Sequence, residues 1–296
     1  MHFDDLQKIV HLAHTQSIQK SANALNVTSG ALSKTLKKIE NKLKTPLFDR
    51  VGRNIELNAQ GKKFTTYASN LIQEYEQMCS EFTDKKVKHH LKISGPSVLL
   101  EASLAMIIPL LPDKNIEMNI ETLYEGDAII HLANGQSHVA IVTDAALTNL
   151  DNLPLNSVPL GKTTCKVIAS HQHPIFKDFP EGKVKMSDLL NYPFICPKTS
   201  PYCGIERGIG SDGWLDHKYP RIITFRSDDI NSLLSVVNQS VVLAYVADIV
   251  IDTDKVRVVE IIDCPIEYQE NYSLVYRSSK ADGWLNQLVY KLENDL

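Results

Sequence analysis

The sequence predicts a mixed chain: an all-α winged helix-turn-helix at residues 1–58, a linker helix and hinge at 59–88, and a two-lobed α/β clamshell at 89–296. Three observations predict it. Short helix signals with cap residues fill the first part, and an apolar seam at three- and four-residue spacing runs through the second. In the third, strand-like and helix-like stretches alternate. With 296 residues, 43% of them apolar, the chain is long enough for two or three domains.

Residues 17–61 read SIQKSANALNVTSGALSKTLKKIENKLKTPLFDRVGRNIELNAQG. Ser17 is placed to cap a short helix through Ile18, Ala22 and Leu25, Asn26 and Val27 make a tight turn, and Thr28 caps a second helix to Glu40. On that second helix Ala31, Leu32, Thr35, Leu36, Ile39 and Leu43 form one stripe that packs inward. The opposite face carries Ser29, Ser33, Lys34, Lys37 and Lys38, hydroxyls and cations without an acid. Such a face suits the major groove of duplex DNA, where polar side chains reach base edges and cations meet phosphates. Residues 48–54 follow as a turn that forms a wing, with Gly52 as its permissive residue. Two amphipathic helices around a turn are common in proteins that never touch DNA, so periodicity alone leaves both readings open. Charge favours DNA. Residues 1–63 hold 11 Lys plus Arg against 5 Asp plus Glu, whereas the whole chain holds 31 against 35, so the excess of acid lies entirely in the remainder.

In residues 59–86, Phe64, Ala68, Leu71, Tyr75, Met78 and Phe82 recur at alternating intervals of four and three. Three heptads of that seam predict a helix pairing with its own copy, the alternative being a long helix packed on its own chain. A polar break at residues 85–90 marks a hinge. Strands are then expected at 91–94, 116–125 and 139–144 with helices at 97–111 and 128–135, a βαβαβ unit with a parallel sheet. The second set comprises strands at 163–170, 193–198 and 222–227, a helix over 205–217, another at 229–239 and a buried segment at 241–248. Strands at 256–262 and 272–278 and a C-terminal helix complete it. Lobe 1 is assigned to 89–161 and 265–296, and lobe 2 to 162–264.

The helix containing Phe3 and Val10, the stretch SIQKSANALNVTSGALSKTLKKIE, the block LFDRVGR and the closing ELNAQG together resemble the N-terminal domain of LysR-type transcriptional regulators. A looser similarity continues to the C-terminus. Ser21 stands where that family usually has an alanine, Lys44 where a glycine is usual and Asn58 where threonine is usual. A Gly-rich turn is replaced by residues 239–242, and a common Asp by His138. The resemblance implies a regulator that binds promoter DNA as a dimer or dimer of dimers through its linker helix. It implies a clamshell, similar to periplasmic binding proteins, that closes on a small-molecule effector and so alters DNA bending and contact with RNA polymerase. In that frame Ser29, Ser33 and Lys34 are expected at base edges, Lys37, Lys38 and Arg50 at phosphates, and Arg53 toward the minor groove. Ser17, Thr28 and Gly30, at the two helix starts, complete the expected DNA-facing set. An alternative makes the clamshell an oligomerisation platform only, without an effector.

In two-lobed α/β folds ligands sit at the carboxyl ends of the strands, in the crevice between lobes. The resemblance implies pocket positions there at Ser97, Val98, Thr143, Thr199 and Ser200, with Tyr245 added; a helix cap is the competing role for the hydroxyls. The helix start at Ser97 and the Lys198-Thr199-Ser200 loop favour a carboxylate- or phosphate-bearing effector, and Glu125 opposes one.

Enzyme signatures are weak. There is no G-x-S-x-G elbow, no H-E-x-x-H and no phosphate-cradling loop, and Gly208, Gly210 and Gly213 lack the strand that a dinucleotide fingerprint needs. No catalytic residue, metal or cofactor is therefore expected. His171 and His173 read as a strand-end turn rather than a metal pair. Five scattered cysteines form no disulfide framework and suit a reduced cytoplasmic setting, with Cys196 and Cys203 the pair open to a redox role. No signal peptide or membrane-spanning run is legible; the longest apolar run, 241–251, is interrupted by Asp248.

Overall fold

A computed structural model describes residues 2–51, 54–82, 89–111, 116–148, 155–263, 268–277 and 284–295. Helices α1 (Phe3–Thr15), α2 (Ile18–Ala24) and α3 (Ser29–Leu43) pack around buried Ile9, Leu12, Leu32 and Ile39. The caps act as expected: Ser17 Oγ accepts from the Lys20 amide at 3.4 Å and Thr28 Oγ1 from the Ala31 amide at 3.1 Å. Asn26 makes the turn between helices at φ 52°. The inward stripe of α3 is narrower than its spacing suggests. Leu32, Leu36 and Ile39 are buried, but Ala31 in the first turn and Leu43 in the last are exposed, because the neighbouring helices cover only the middle of α3. Strands β1 (Phe48–Val51) and β2 (Asn54–Leu57) pair antiparallel as the wing, Val51 opposite Asn54.

The three departures in this domain have physical accounts. Ser21 is fully buried, and its hydroxyl bonds Thr15 Oγ1 and, at 3.2 Å, His11 Nδ1, tying the end of α1 to α2. Lys44 ends α3 at φ 53°, the left-handed conformation that glycine adopts without penalty. Asn58 Oδ1 accepts from the Gly61 amide at 2.9 Å, and its Nδ2 donates to the Pro46 carbonyl at 3.1 Å, fastening wing to linker. At Gly61 a Cβ would lie 2.0 Å from the Leu47 carbonyl oxygen, so the junction admits no side chain.

Helix α4 (Ala59–Phe82) spans 24 residues, about 36 Å. The single seam expected from the sequence divides in two. Ala68 is buried against Leu6 and Val10 of α1, with Phe64 and Ile72 packed beside it. Tyr67, Leu71 and Met78 are 62%, 52% and 49% exposed and form an outward apolar stripe, bordered by Tyr75, which is 46% exposed and packs its ring 4.2 Å from that of Phe3 in α1. The division arises because α1 covers one side of the helix within the same chain. The side chain of Phe82 and residues 83–88 of the expected hinge lie outside the described residues, and His89 and His90 already open the first strand of lobe 1.

In lobe 1, β3 (His89–Gly95) pairs parallel with β4 (Ile116–Thr122) and β5 (Val139–Thr143), with α5 (Ser97–Ile107) and α6 (Glu125–Ala133) as crossovers and α7 (Asp144–Leu147) after β5. The strand expected at 163–170 is the second half of a 16-residue strand, β6 (Leu155–Ser170), which runs from lobe 1 into lobe 2. In lobe 2 follow α8 (Ile175–Asp178), β7 (Lys183–Val184), α9 (Met186–Leu189), β8 (Pro193–Pro197) and β9 (Ile222–Ser227). Next come α10 (Ile230–Gln239), β10 (Ala244–Ala247), β11 (Val256–Ile261), β12 (Gln269–Arg277) and α11 (Trp284–Asp295). The main sheet runs β4-β3-β5-β12-β6-β11-β7, with β10 also on β6 and β8-β9 a separate parallel pair. β12 returns antiparallel to β6 and to β5, so two neighbouring strands join the lobes, and their register shifts between Tyr272 and Ser273, opposite Gly161. The helix expected over 205–217 is a run of turns, because Gly208, Ser211 and Gly213 all take positive φ. Trp214 is nonetheless buried there, between Phe194 and Tyr245. Among the described residues no helix is long and apolar enough to cross a membrane.

Candidate nucleic-acid interface and interlobe cleft

Helix α3 presents Ser29, Gly30, Lys34 and Lys37 to solvent, with Ser33 half-buried beside them. Its single acid, Glu40, turns away: its Oε1 accepts from the Leu47 amide at 2.7 Å at the base of the wing. A Cβ built on Gly30 would meet no atom within 4 Å, so nothing in the protein requires glycine there. Lys38 stands apart from the expected free cations. Its Nζ donates to Asp5 Oδ2 at 2.9 Å, and that bond with Lys38 holds the Asp5 carboxyl below the usual range. Lys38 is therefore first a strut between α3 and α1. Arg50 is exposed on β1, Thr28 is exposed and Ser17 half-buried at their caps, and Arg53 with Gly52 lies outside the described residues.

The fold gathers the six expected cleft residues onto one crevice. Val98, Thr199 and Tyr245 line one cavity, Ser97 lines a second, and Thr143 and Ser200 a third. The first two share Asp228, Asp229 and Ile230, and the first and third share Tyr202. The lobes touch at the rim. The Glu125 amide at the start of α6 donates to the Tyr202 carbonyl of lobe 2 at 3.1 Å, and a Cβ on Gly204 would strike the Tyr124 ring at 2.4 Å. Several of the expected residues also have structural duties. Ser200 Oγ accepts from the Tyr202 amide at 3.4 Å, and the Thr143 amide donates to Glu125 Oε1 at 2.7 Å. Burial pushes the Glu125 carboxyl above its ordinary range, against the Thr143 hydrogen bonds that work to lower it.

The cleft lining carries more acid than the expectation of an anionic guest would suggest. Asp127, Asp212, Asp228, Asp229, Glu125 and Glu270 stand on the lining, with Arg207 as its cation. Lys198 is exposed and off the lining. Asp212 is bound at 2.7 and 3.0 Å by Arg221, which Asp216 also holds at 2.9 Å; burial works to lower the Arg221 pKa, but these bonds outweigh it and keep the guanidinium charged. Asp228 and Asp229 follow β9 immediately, so the rule that ligands sit just past strand ends would have found them. Tyr268 and Glu270 had no such signal, because they sit at the start of a strand that only the two-lobed topology brings to the cleft.

The remaining departures lie off the lining. Residues 239–242 are absent from it, and His138 fastens β3, its Nδ1 accepting from the Lys92 amide at 2.9 Å. Cys196 is buried, and burial pushes its thiol up to about 11, which leaves little nucleophilic thiolate. His171 and His173 serve separate loops: the first ring meets the Thr253 carbonyl at 3.0 Å, and His173 Nδ1 accepts from the Ile175 amide at 3.1 Å.

Two family models match the chain: the bacterial regulatory helix-turn-helix protein, lysR family, over residues 3–62, and the LysR substrate binding domain over residues 88–288. The HTH-type transcriptional regulator CzcR of Bacillus subtilis is 30% identical over 112 residues, which are 38% of this chain and 36% of that protein. The match thus spans about a third of that relative's length. A full-length OxyR variant from Pseudomonas aeruginosa superposes with a TM-score of 0.68 at 16% identity, covering 99% of this chain and 94% of its own. Vibrio fischeri DarR in complex with DNA superposes with a TM-score of 0.54 at 17% identity, covering 99% of each chain. At these identities the structural likeness is one of fold.

Proposed function

The chain belongs to the LysR family, and from that premise we propose that it is a promoter-binding transcriptional regulator controlled by a small molecule held between its two C-terminal lobes. The observation that carries the first half is the outer face of α3, where exposed Ser29, Lys34 and Lys37 flank Gly30 with no acid among them. In a major groove Lys34, with Ser29 and Ser33, reads base edges, while Lys37 and Arg50 meet phosphates; Gly30 lets the backbone come close. Arg53, which the sequence places between β1 and β2, is assigned to the minor groove. The DNA held by DarR supports the same use of this fold.

Self-association is part of the reading. The outward stripe of α4 leaves Tyr67, Leu71 and Met78, with Tyr75 at its border, for a second copy. The edge strands β4 and β9, with exposed Ile120, Ile222 and Phe225, offer further surface for a dimer or tetramer. Effector binding acts on the lobe contact between Glu125 and Tyr202, and through the paired strands β6 and β12 on how dimers sit on DNA and meet RNA polymerase. Three connected cavities in the crevice favour sensing over a clamshell that only oligomerises. The protein acts in the cytoplasm, as a regulator and not an enzyme.

The test is a mobility-shift assay of the purified protein on the fragment upstream of its own gene. A retarded complex should form whose log affinity falls linearly with log salt. If no promoter fragment is retarded even in dilute buffer, the reading is wrong.

A further inference from the structure

We propose that the interlobe cleft is built for an effector carrying an ammonium or guanidinium group on a small apolar body, not for a carboxylate or phosphate. This rests on the sensing role proposed above and narrows its ligand class. Four observations carry it.

The first is the charge of the three cavities: six carboxyl groups line them against Arg207, and with Asp212 paired to Arg221 and Glu125 pushed up by burial, Asp127, Asp228, Asp229 and Glu270 remain. An anion entering this crevice would meet like charge from both lobes. The second concerns the helix N-termini, where an anion would otherwise find free amides. At α10 the place is taken: Asp229 Oδ2 accepts the Ser232 amide at 2.7 Å, and this bond keeps the Asp229 carboxyl below its ordinary range. At α6 the first turn carries Glu125 and Asp127. At α7 the first turn carries Asp144, so of the four α-helices that begin on the cleft, only α5, at Ser97, begins without an acid in its first turn or a carboxylate cap.

The third observation is Tyr202. It lines both the first and the third cavity and is only 6% exposed, and among the described residues its hydroxyl has no hydrogen-bond partner. A largely buried tyrosine that lines two cavities and has no partner for its hydroxyl can supply a hydrogen bond to a guest. The fourth is aromatic. Tyr124, Tyr202, Tyr245 and Tyr268 are spread over the three cavities, and tyrosine rings beside carboxylates are the usual surroundings of an organic cation. Apolar Val98, Ile230 and Leu233 receive the body of the molecule in the first cavity, while Asp228, shared with the second, meets its charge.

The experiment uses the full-length protein, its variants Asp228→Asn and Glu270→Gln, and five probes: agmatine, putrescine, arginine, glutarate and benzoate. Thermal unfolding, calorimetry and retardation of the promoter fragment are read for each. At least one of the three cationic probes should raise the midpoint by about 3 °C. The same probe should bind about tenfold more weakly to one or both variants, the cost of one charge-assisted contact. Tighter binding by glutarate or benzoate than by any cationic probe overturns the assignment while leaving sensing intact. Cation binding unaltered in both variants overturns it too, because the charge would then be met elsewhere. If no probe of either sign shifts the midpoint or the DNA complex, the assignment falls. A wider panel of neutral metabolites that also fails takes the sensing role with it.

Discussion

The outer face of α3 is cationic and made by one helix, whereas the interlobe cleft is acidic and assembled from segments spread between Ser97 and Glu270. Both leave side chains open to a partner, but their charges are opposite. On the function and the ligand class proposed above, each sign matches its partner: a polyanion at one end and a cation at the other. A second contrast is rigidity. On α3 the lysines are solvated and exchangeable, except Lys38, which is tied to Asp5. In the cleft Asp212 is bound by Arg221, so part of the acidity is fixed structure and only part is available to a ligand.

The largest effect expected of a single change sharpens that contrast. Arg221→Met removes the cation from between Asp212 and Asp216, both buried, and leaves two carboxylates without a counter-ion. Stability of the effector domain should fall by about 3–5 kcal/mol, read from urea unfolding through Trp214 fluorescence. An unchanged midpoint would show that Asp212 is as exchangeable as the lysines of α3.

On the cationic side, Lys34→Ala should erode preference for the operator over bulk DNA by about 1–3 kcal/mol. Lys37→Ala should instead weaken operator and bulk DNA alike and reduce the salt slope by about one. Identical behaviour of the two variants in a salt titration would end the division between base-reading and phosphate-meeting lysines. The smallest effect tests whether the DNA-binding domain is tuned as tightly as the cleft. Lys44→Gly relieves a left-handed residue at the end of α3, and the gain should be about 0.5–1 kcal/mol after allowing for the freer unfolded chain. A lower thermal midpoint in this variant would mean that the Lys44 side chain does more than tolerate the turn.

Much of the N-terminal domain was legible because its signals are local. Ser17 and Thr28 cap the helices that follow them, and Asn26 turns between them, each acting within four residues of itself. The linker shows where that legibility stops. Spacing alone put Ala68 and Leu71 on one seam, yet α1 buries the first and leaves the second 52% exposed, and only the packing of α1 on α4 could separate them. The helix expected over 205–217 failed for a different reason, since three positive-φ residues outweighed the apolar spacing around Trp214.

The cleft divides the same way. Residues just past strands, such as Ser97, Thr143 and Thr199, were placed by a rule that needs only the order of elements. The sign of its charge needed more. Glu125, Asp228 and Glu270 lie up to 145 positions apart and meet only where β6 and β12 carry the chain between lobes. The sequence alone determined the N-terminal helices, their caps, the cationic face of α3 and most of the alternation of strand and helix, because each depends on near neighbours along the chain. Tertiary structure decided which side of α4 stays open, that Lys38 serves Asp5, and that the crevice is acidic. Those are properties of surfaces facing one another, and a surface takes its neighbours from the fold.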